Sequence, residues 1–303
     1  MSLIEPCDVL YVSARKGEAE LACAGRMRSE RERGLRVVVV TLFDDGPERD
    51  GELFLRLPRA SERDANHDPW KQPSPGVDEE AWTADTAAIL DDVFVRARPR
   101  HLYIPLGVGG FVERRVAHEA ALGTFQAEAG RDVFLYEERP EAFISGSVRI
   151  RLAQLGARLP PAASRVVGEG GIALYMLRFQ TVPRLRDGLK GLWTRLRCAR
   201  VALRLWHDAR AWRPQKAKGP RLQPLLHLVA PTALADVREM VRASAEGAGF
   251  PAIADRMIAL SSHYARRLGA TGHVERYWLL LPRRDDEIRS VLTGEEVSAL
   301  SPR

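Results

Sequence analysis

Residues 10–46 constrain the fold more than any other part of the chain. They read LYVSARKGEAELACAGRMRSERERGLRVVVVTLFDDG. Residues 9–13 are a short apolar run. Residues 20–31 carry the period of a helix, with Leu21, Ala24 and Met27 on one side, and Gly34 stops it. Residues 36–42 are a β-branched run. Strand, loop, helix and strand in that order make a βαβ opening. The loop after the first strand is Ser13-Ala14-Arg15-Lys16-Gly17-Glu18. It falls at the carboxyl end of a strand, where open α/β sheets bind ligands.

The alternation continues. Residues 83–98 predict an amphipathic helix with Ala87, Leu90, Val93 and Phe94 inward, 101–105 a strand, 113–127 a helix and 132–136 a strand. This order argues for a mostly parallel sheet with helices on both faces, a three-layer α/β sandwich. Residues 44–80 are polar and broken by Pro47, Pro58, Pro69, Pro73 and Pro75, so only 52–57 is expected as a strand there. Further on, the pattern predicts short strands at 164–168 and 172–179 and a helical stretch at 183–213. A basic linker is expected at 216–221, helices at 232–245 (Thr232 as N-cap) and 251–269, and a last strand at 274–281. The expected division is an α/β core at 1–180, a basic amphipathic helix and linker at 181–222, and C-terminal helices and strand at 223–303.

Composition narrows the class. An apolar content of 45% supports a real core and excludes wholesale disorder. Cys7, Cys23 and Cys198 are widely spaced, with no disulfide framework and no CxxC pair, which fits a reducing cytoplasm. No signal-peptide pattern opens the chain, and no apolar run reaches membrane-spanning length. The net charge of +6 has a single source. Residues 183–221 hold twelve Arg or Lys against Asp187 and Asp208, together with Trp193, Trp206 and Trp212, whereas the rest has 34 basic against 38 acidic residues. Such a segment is a packed helix with a solvated basic face, or it serves an anionic membrane surface or a partner protein. No recognition motif supports nucleic acid.

Four motifs carry the functional reading. Glu20-Leu21-Ala22-Cys23-Ala24-Gly25 follows the first loop, Ile104-Pro-Leu-Gly-Val-Gly-Gly110 ends the fourth predicted strand, Phe134-Leu-Tyr-Glu-Glu-Arg-Pro140 comes next, and Glu275-Arg-Tyr-Trp278 lies near the C-terminus. In this order they resemble the PIG-L/LmbE-like de-N-acetylases, zinc enzymes acting on N-acetylglucosamine-type sugars. The resemblance spans roughly residues 7–150 and 250–280 and implies an LmbE-like sandwich with an added helical C-terminal portion. The zinc ligands and the base are where the chain departs from the family. The resemblance places the first zinc-binding His on Arg15, the general-base Asp on Gly17 and the zinc-binding Asp on Glu18. The later His, Asp and His fall on Phe111, Glu113 and Arg114. A guanidinium only donates and binds no cation, and glycine has no side chain to take a proton.

Arg15, Glu18, Glu113 and Arg114 therefore admit three accounts: drift after loss of the metal, charge replacement in which arginines stand in for the ion among the acids, or a repurposed pocket for an anionic substrate. Gly107, Gly109 and Gly110 either cradle an anion with their N–H groups or form a tight turn. His118 is expected as a core or surface histidine, and Cys23 as a buried inert thiol. The function expected is that of a catalytically degenerate deacetylase homologue with a binding or scaffolding role in glycan metabolism. The alternative is an active deacetylase with shifted ligands, or a metal-free enzyme on an anionic substrate. A glycan or anionic small molecule is the expected ligand, and no cofactor is expected because the zinc ligands are lost.

Overall fold

The computed structural model describes residues 5–46, 51–64, 78–125, 131–143, 146–161, 163, 204–205, 207–247 and 254–281. The predicted strands at 164–168 and 172–179 lie outside the described residues, as does most of the helical stretch at 183–213.

Among the described residues, seven strands form one sheet in the order β3-β2-β1-β4-β5-β7-β6. β1 (Val9–Ser13), β2 (Val37–Thr41), β3 (Glu52–Phe54), β4 (His101–Pro105) and β5 (Asp132–Tyr136) are parallel, with β1 and β4 side by side. Every residue of β1 and β2 is buried, as a parallel sheet covered on both faces requires. β7 (His273–Leu281) adds antiparallel to β5, and β6 (Arg221–Val229) closes that edge.

Helix α1 (Glu18–Glu32) packs Ala19, Ala22, Cys23 and Met27 against Tyr11, Tyr103 and Tyr277 on one face of the sheet. Its end shows why Gly34 is glycine. Gly34 adopts φ 77° and its N–H bonds to Arg31 O, while Leu35 N–H reaches Glu30 O, a C-terminal cap that needs a left-handed residue. On the opposite face lie α3 (Glu79–Ala97), α4 (Val112–Phe125) and α5 (Ser147–Gln154). A short α2 (Ala60–Arg63) follows β3. The Asp78 carboxylate caps α3 by accepting from Ala81 N–H at 3.0 Å. Two C-terminal helices, α6 (Leu234–Gly247) and α7 (Ala254–Arg267), return to the α1 side, where Val237, Val241 and Met257 meet Leu21 and Ala24.

Two expectations are corrected. The basic linker at 216–221 ends in a strand, because Arg221 opens β6, which has no counterpart in the sequence reading. Pro224 sits inside that strand, and proline is tolerated there because an edge strand leaves N–H positions outside the ladder. Thr232 is not an N-cap. It lies within the 3₁₀ turn Pro231–Ala233, where Pro231 favours the turn ahead of α6. Among the described residues, no helix is long and apolar enough to cross a membrane.

Candidate functional site

The strand order reverses between β1 and β4, and the crevice beyond the carboxyl ends of two such strands is the usual ligand site of an open α/β sheet. The loop after β1 carries Arg15 and leads into Glu18 in the first turn of α1. The loop after β4 leads into Glu113 and Arg114 in the first turn of α4. Ser13 ties the first loop down. Its hydroxyl donates to Arg15 O at 2.6 Å and accepts from Ala19 N–H at 3.3 Å.

The two loops exchange charges reciprocally. Arg15 Nη2 donates to Glu113 Oε1 at 2.8 Å. Arg114 donates to Glu18 Oε1 through Nη2 at 2.7 Å and Nε at 3.0 Å. Arg114 also lies 3.0 Å from Glu141 Oε2, donates to Val108 O at 3.1 Å, and rests 4.8 Å over the Phe111 ring. The pairs differ in depth. Arg15 is 43% exposed in its side chain, whereas Arg114 is 7% exposed. Burial opposes the charge of Arg114, but Glu141 and Glu18 outweigh it and hold the guanidinium protonated. Sequence reasoning missed Glu141, which stands one residue beyond the Phe134–Pro140 motif.

The glycine loop is filled from within. Gly107 N–H donates to Glu138 Oε1 at 2.7 Å, and Val108 N–H reaches Glu138 Oε2 at 3.1 Å. Two of the loop's N–H groups, those of Gly107 and Val108, are thus held by a buried carboxylate of the same chain. Gly107 and Gly109 take φ 83° and 91°, and a Cβ on Gly109 would lie 2.9 Å from Glu141 Cγ, so close approach and backbone conformation both demand glycine. Burial pushes the Glu138 carboxyl up to about 7, against the pull of Arg114 and of the Val108 N–H. The folded state therefore binds a proton that the unfolded chain has released, and stability falls as pH rises from the ordinary carboxylate range to about 7. Glu138→Gln keeps an acceptor for both N–H groups and is expected to flatten that slope. The difference is at most about 3 kcal/mol between pH 4.5 and 8. Urea unfolding of both proteins across that range measures it, and parallel pH profiles would reject the assignment.

The sequence matches no family model and no curated protein. Solved structures do match. The deacetylase of teicoplanin biosynthesis, solved with bog, is 13% identical with a TM-score of 0.58, over 92% of this chain and 100% of that one. The zinc-inhibited form of teicoplanin deacetylase gives 13%, 0.56, 92% and 100%. The A40926 pseudoaglycone deacetylase gives 12%, 0.53, 91% and 98%. The chain shares the fold of these deacetylases.

In that fold the residues present do not suit zinc. At the positions where the resemblance expects imidazoles stand Arg15, Phe111 and Arg114, and the two guanidiniums engage Glu113 and Glu18. A zinc site takes imidazole, thiolate or carboxylate ligands. Among the described residues, no group of three or more His, Cys, Asp or Glu is placed to hold a metal ion. His118 offers no substitute. Its Nδ1 lies 2.8 Å from Pro105 O, the ring is fully buried, and burial with the Arg151 charge lowers it to about 3. Gly17 cannot regain a side chain cheaply. It has φ 79°, and a Cβ there would lie 2.8 Å from the Ser244 carbonyl oxygen of α6.

The remaining motifs interlock. Glu137 accepts from Arg276 Nε at 2.5 Å, from Trp278 Nε1 at 2.8 Å and from the Tyr264 hydroxyl, all of them buried. Glu275 accepts from Gly25 N–H, Arg26 N–H and the Tyr277 hydroxyl at 2.7, 2.9 and 2.7 Å. The stretches at 134–140 and 275–278 thus bind β7 to the rest of the sheet and to α1.

Proposed function

We propose that this chain is a non-hydrolytic homologue of the PIG-L/LmbE-type deacetylases, with a binding or scaffolding role in glycan or glycoconjugate metabolism. The crossed Arg15–Glu113 and Arg114–Glu18 pairs carry the reading, since they occupy the positions that the resemblance gives to metal ligands. Gly17 strengthens it. General-base catalysis contributes typically 10²–10⁴-fold, and no side chain stands there to supply it. The order of the four motifs and the shared fold support the sugar-linked setting. Cys7 and Cys23 are free and buried, which fits a reducing compartment.

The chemistry left to the crevice is recognition. Arg15 is the exposed group at its mouth, and the arginine pairs hold the loops in place without an ion. The test combines two measurements on the whole chain. Equilibrium dialysis against zinc is expected to leave no stoichiometric metal, and acetate release from an N-acetylglucosaminide is expected at background. Calorimetric titration with the same glucosaminide reports binding without turnover. One zinc per chain together with turnover, both lost in Glu18→Ala, would refute the reading. Gly17→Asp is expected to remain inactive and to cost about 2 kcal/mol, from the left-handed backbone and the contact with Ser244.

A further inference from the structure

Residues 204–205 and 207–221 concentrate exposed cations along one short stretch of chain. Arg204, Arg210, Arg213, Lys216 and Lys218 are all exposed, and Asp208 is the one acid among these described residues. Several surface arginines elsewhere are matched by carboxylates, as in Arg28–Glu32, Arg96–Asp92 and Arg242–Asp255. Arg204, Lys216 and Lys218 face no carboxylate among the described residues.

The backbone that carries these cations is fixed. Trp212 is buried in the core and its Nε1 donates to Ala157 O at 3.2 Å. Arg149 Nε donates to Ala209 O at 3.1 Å. Leu159 N–H reaches Pro214 O, Gly219 N–H reaches Gly156 O, and Arg158 N–H reaches Pro220 O, at 3.1, 2.8 and 2.7 Å. A Cβ on Gly219 would lie 2.2 Å from Leu155 O, so this close approach admits only glycine. The segment then enters β6 at Arg221, opposite Leu281. That is the amino end of the parallel strands, the rim away from the crevice.

We propose that this fixed basic surface docks the protein on an anionic lipid membrane. Long-range attraction between a cation cluster and an anionic leaflet needs no pocket, only exposed charge close to the surface. Two observations favour lipid over nucleic acid. Single-stranded nucleic acid is held by exposed aromatic platforms beside the cations, and the aromatic ring of the described patch, Trp212, is buried. The sequence leading into the patch also supplies Leu185, Leu189, Leu192 and Leu196 at helical spacing with Trp193 among arginines, a composition suited to a membrane interface. The proposal does not depend on whether the crevice is catalytic.

The test is cosedimentation of the whole chain with phosphatidylcholine vesicles, with and without about 30 mol % phosphatidylglycerol. Binding is expected only with the anionic lipid and is expected to weaken as salt rises from about 0.05 to about 0.3 M. At about fivefold per cation lost, before the added acids count, the triple variant Arg204→Glu, Lys216→Glu, Lys218→Glu should bind at least on the order of 100-fold more weakly. A control with the same change of net charge, Arg33→Glu, Arg266→Glu, Arg267→Glu, should stay within about threefold of the parent. All six side chains are exposed, so both variants should keep the parental unfolding midpoint. No binding to anionic vesicles at low salt, or equal losses in the two variants, overturns the proposal. So does single-stranded RNA binding of comparable affinity that the patch variant abolishes, which would assign the surface to nucleic acid.

Discussion

Replacing Arg114 by methionine is expected to cost about 3–5 kcal/mol of folding stability, because breaking a buried ion pair leaves its partners charged and dry. Arg114 serves Glu18 and Glu141 at once and donates to Val108 O. Methionine preserves much of the volume, so the loss reports charge and not cavity. Arg15→Met should cost less than about 1 kcal/mol, since Arg15 is nearly half exposed and solvent screens its pair. Adding Glu18→Gln to Arg114→Met should recover part of the loss by removing one stranded carboxylate. The deficit should also depend on pH. Burial already raises Glu141, and Arg114 is the charge that pulls it back. Without that charge, the folded state takes up protons the unfolded chain does not hold, so the deficit is largest above neutrality and shrinks as pH falls toward about 4–5. Urea unfolding of the single and double variants gives these numbers. A loss below about 1 kcal/mol for Arg114→Met would show that the pair is dispensable.

Glu275→Ala is expected to be comparably damaging, at about 3–5 kcal/mol, since three donors lose their acceptor at 1–3 kcal/mol each with partial relaxation. The reason lies in α1. At Cys23 the backbone leaves the helical region, with φ −127° and ψ 15°. This kink interrupts the helix ladder, and Gly25 and Arg26 point their N–H groups at Glu275 instead. Gly25 is part of the device, because a Cβ there would lie 2.3 Å from Val229 Cγ2 and 3.1 Å from Glu275 Oε1. Burial disfavours the carboxylate, but the charges of His227, Arg139 and His273 and the Tyr277 hydroxyl outweigh it and lower its pKa. Its contribution is therefore complete above the ordinary carboxylate pKa of about 4.3 and is lost as pH falls through the lower folded value. Glu275→Gln keeps one acceptor and should cost less than the alanine variant. Equal stability of Glu275→Ala and the parent would mean that water replaces the carboxylate without loss.

The first five strands were legible because a covered parallel sheet needs near-continuous apolar runs, and 9–13, 37–41 and 101–105 supply them. β6 was not, since Pro224 and the basic run ahead of Arg221 carry the marks of a loop, and its status as an edge strand depends on which strands pair. In the crevice, the resemblance singled out Arg15, Glu18, Glu113 and Arg114, but nothing in their spacing says which arginine takes which acid. Glu141 joins them from 123 positions beyond Glu18, and Glu138 joins through backbone N–H groups of the glycine loop, contacts of tertiary origin. The covering of Gly17 by Ser244 likewise has no local sequence signal.

The bond from Gly25 to Glu275 spans 250 residues, and this bears on how the protein is made. A ribosome adding about 5–20 residues per second needs roughly 10–50 s to travel from one partner to the other. Throughout that interval the kink in α1 lacks its acceptor, and β5 lacks the neighbour that β7 will provide. The N-terminal βαβ unit is therefore expected to gain its full protection only once β7 has been made. Nascent chains stalled before residue 275 should stay sensitive to protease in α1, and release of the complete chain should protect it.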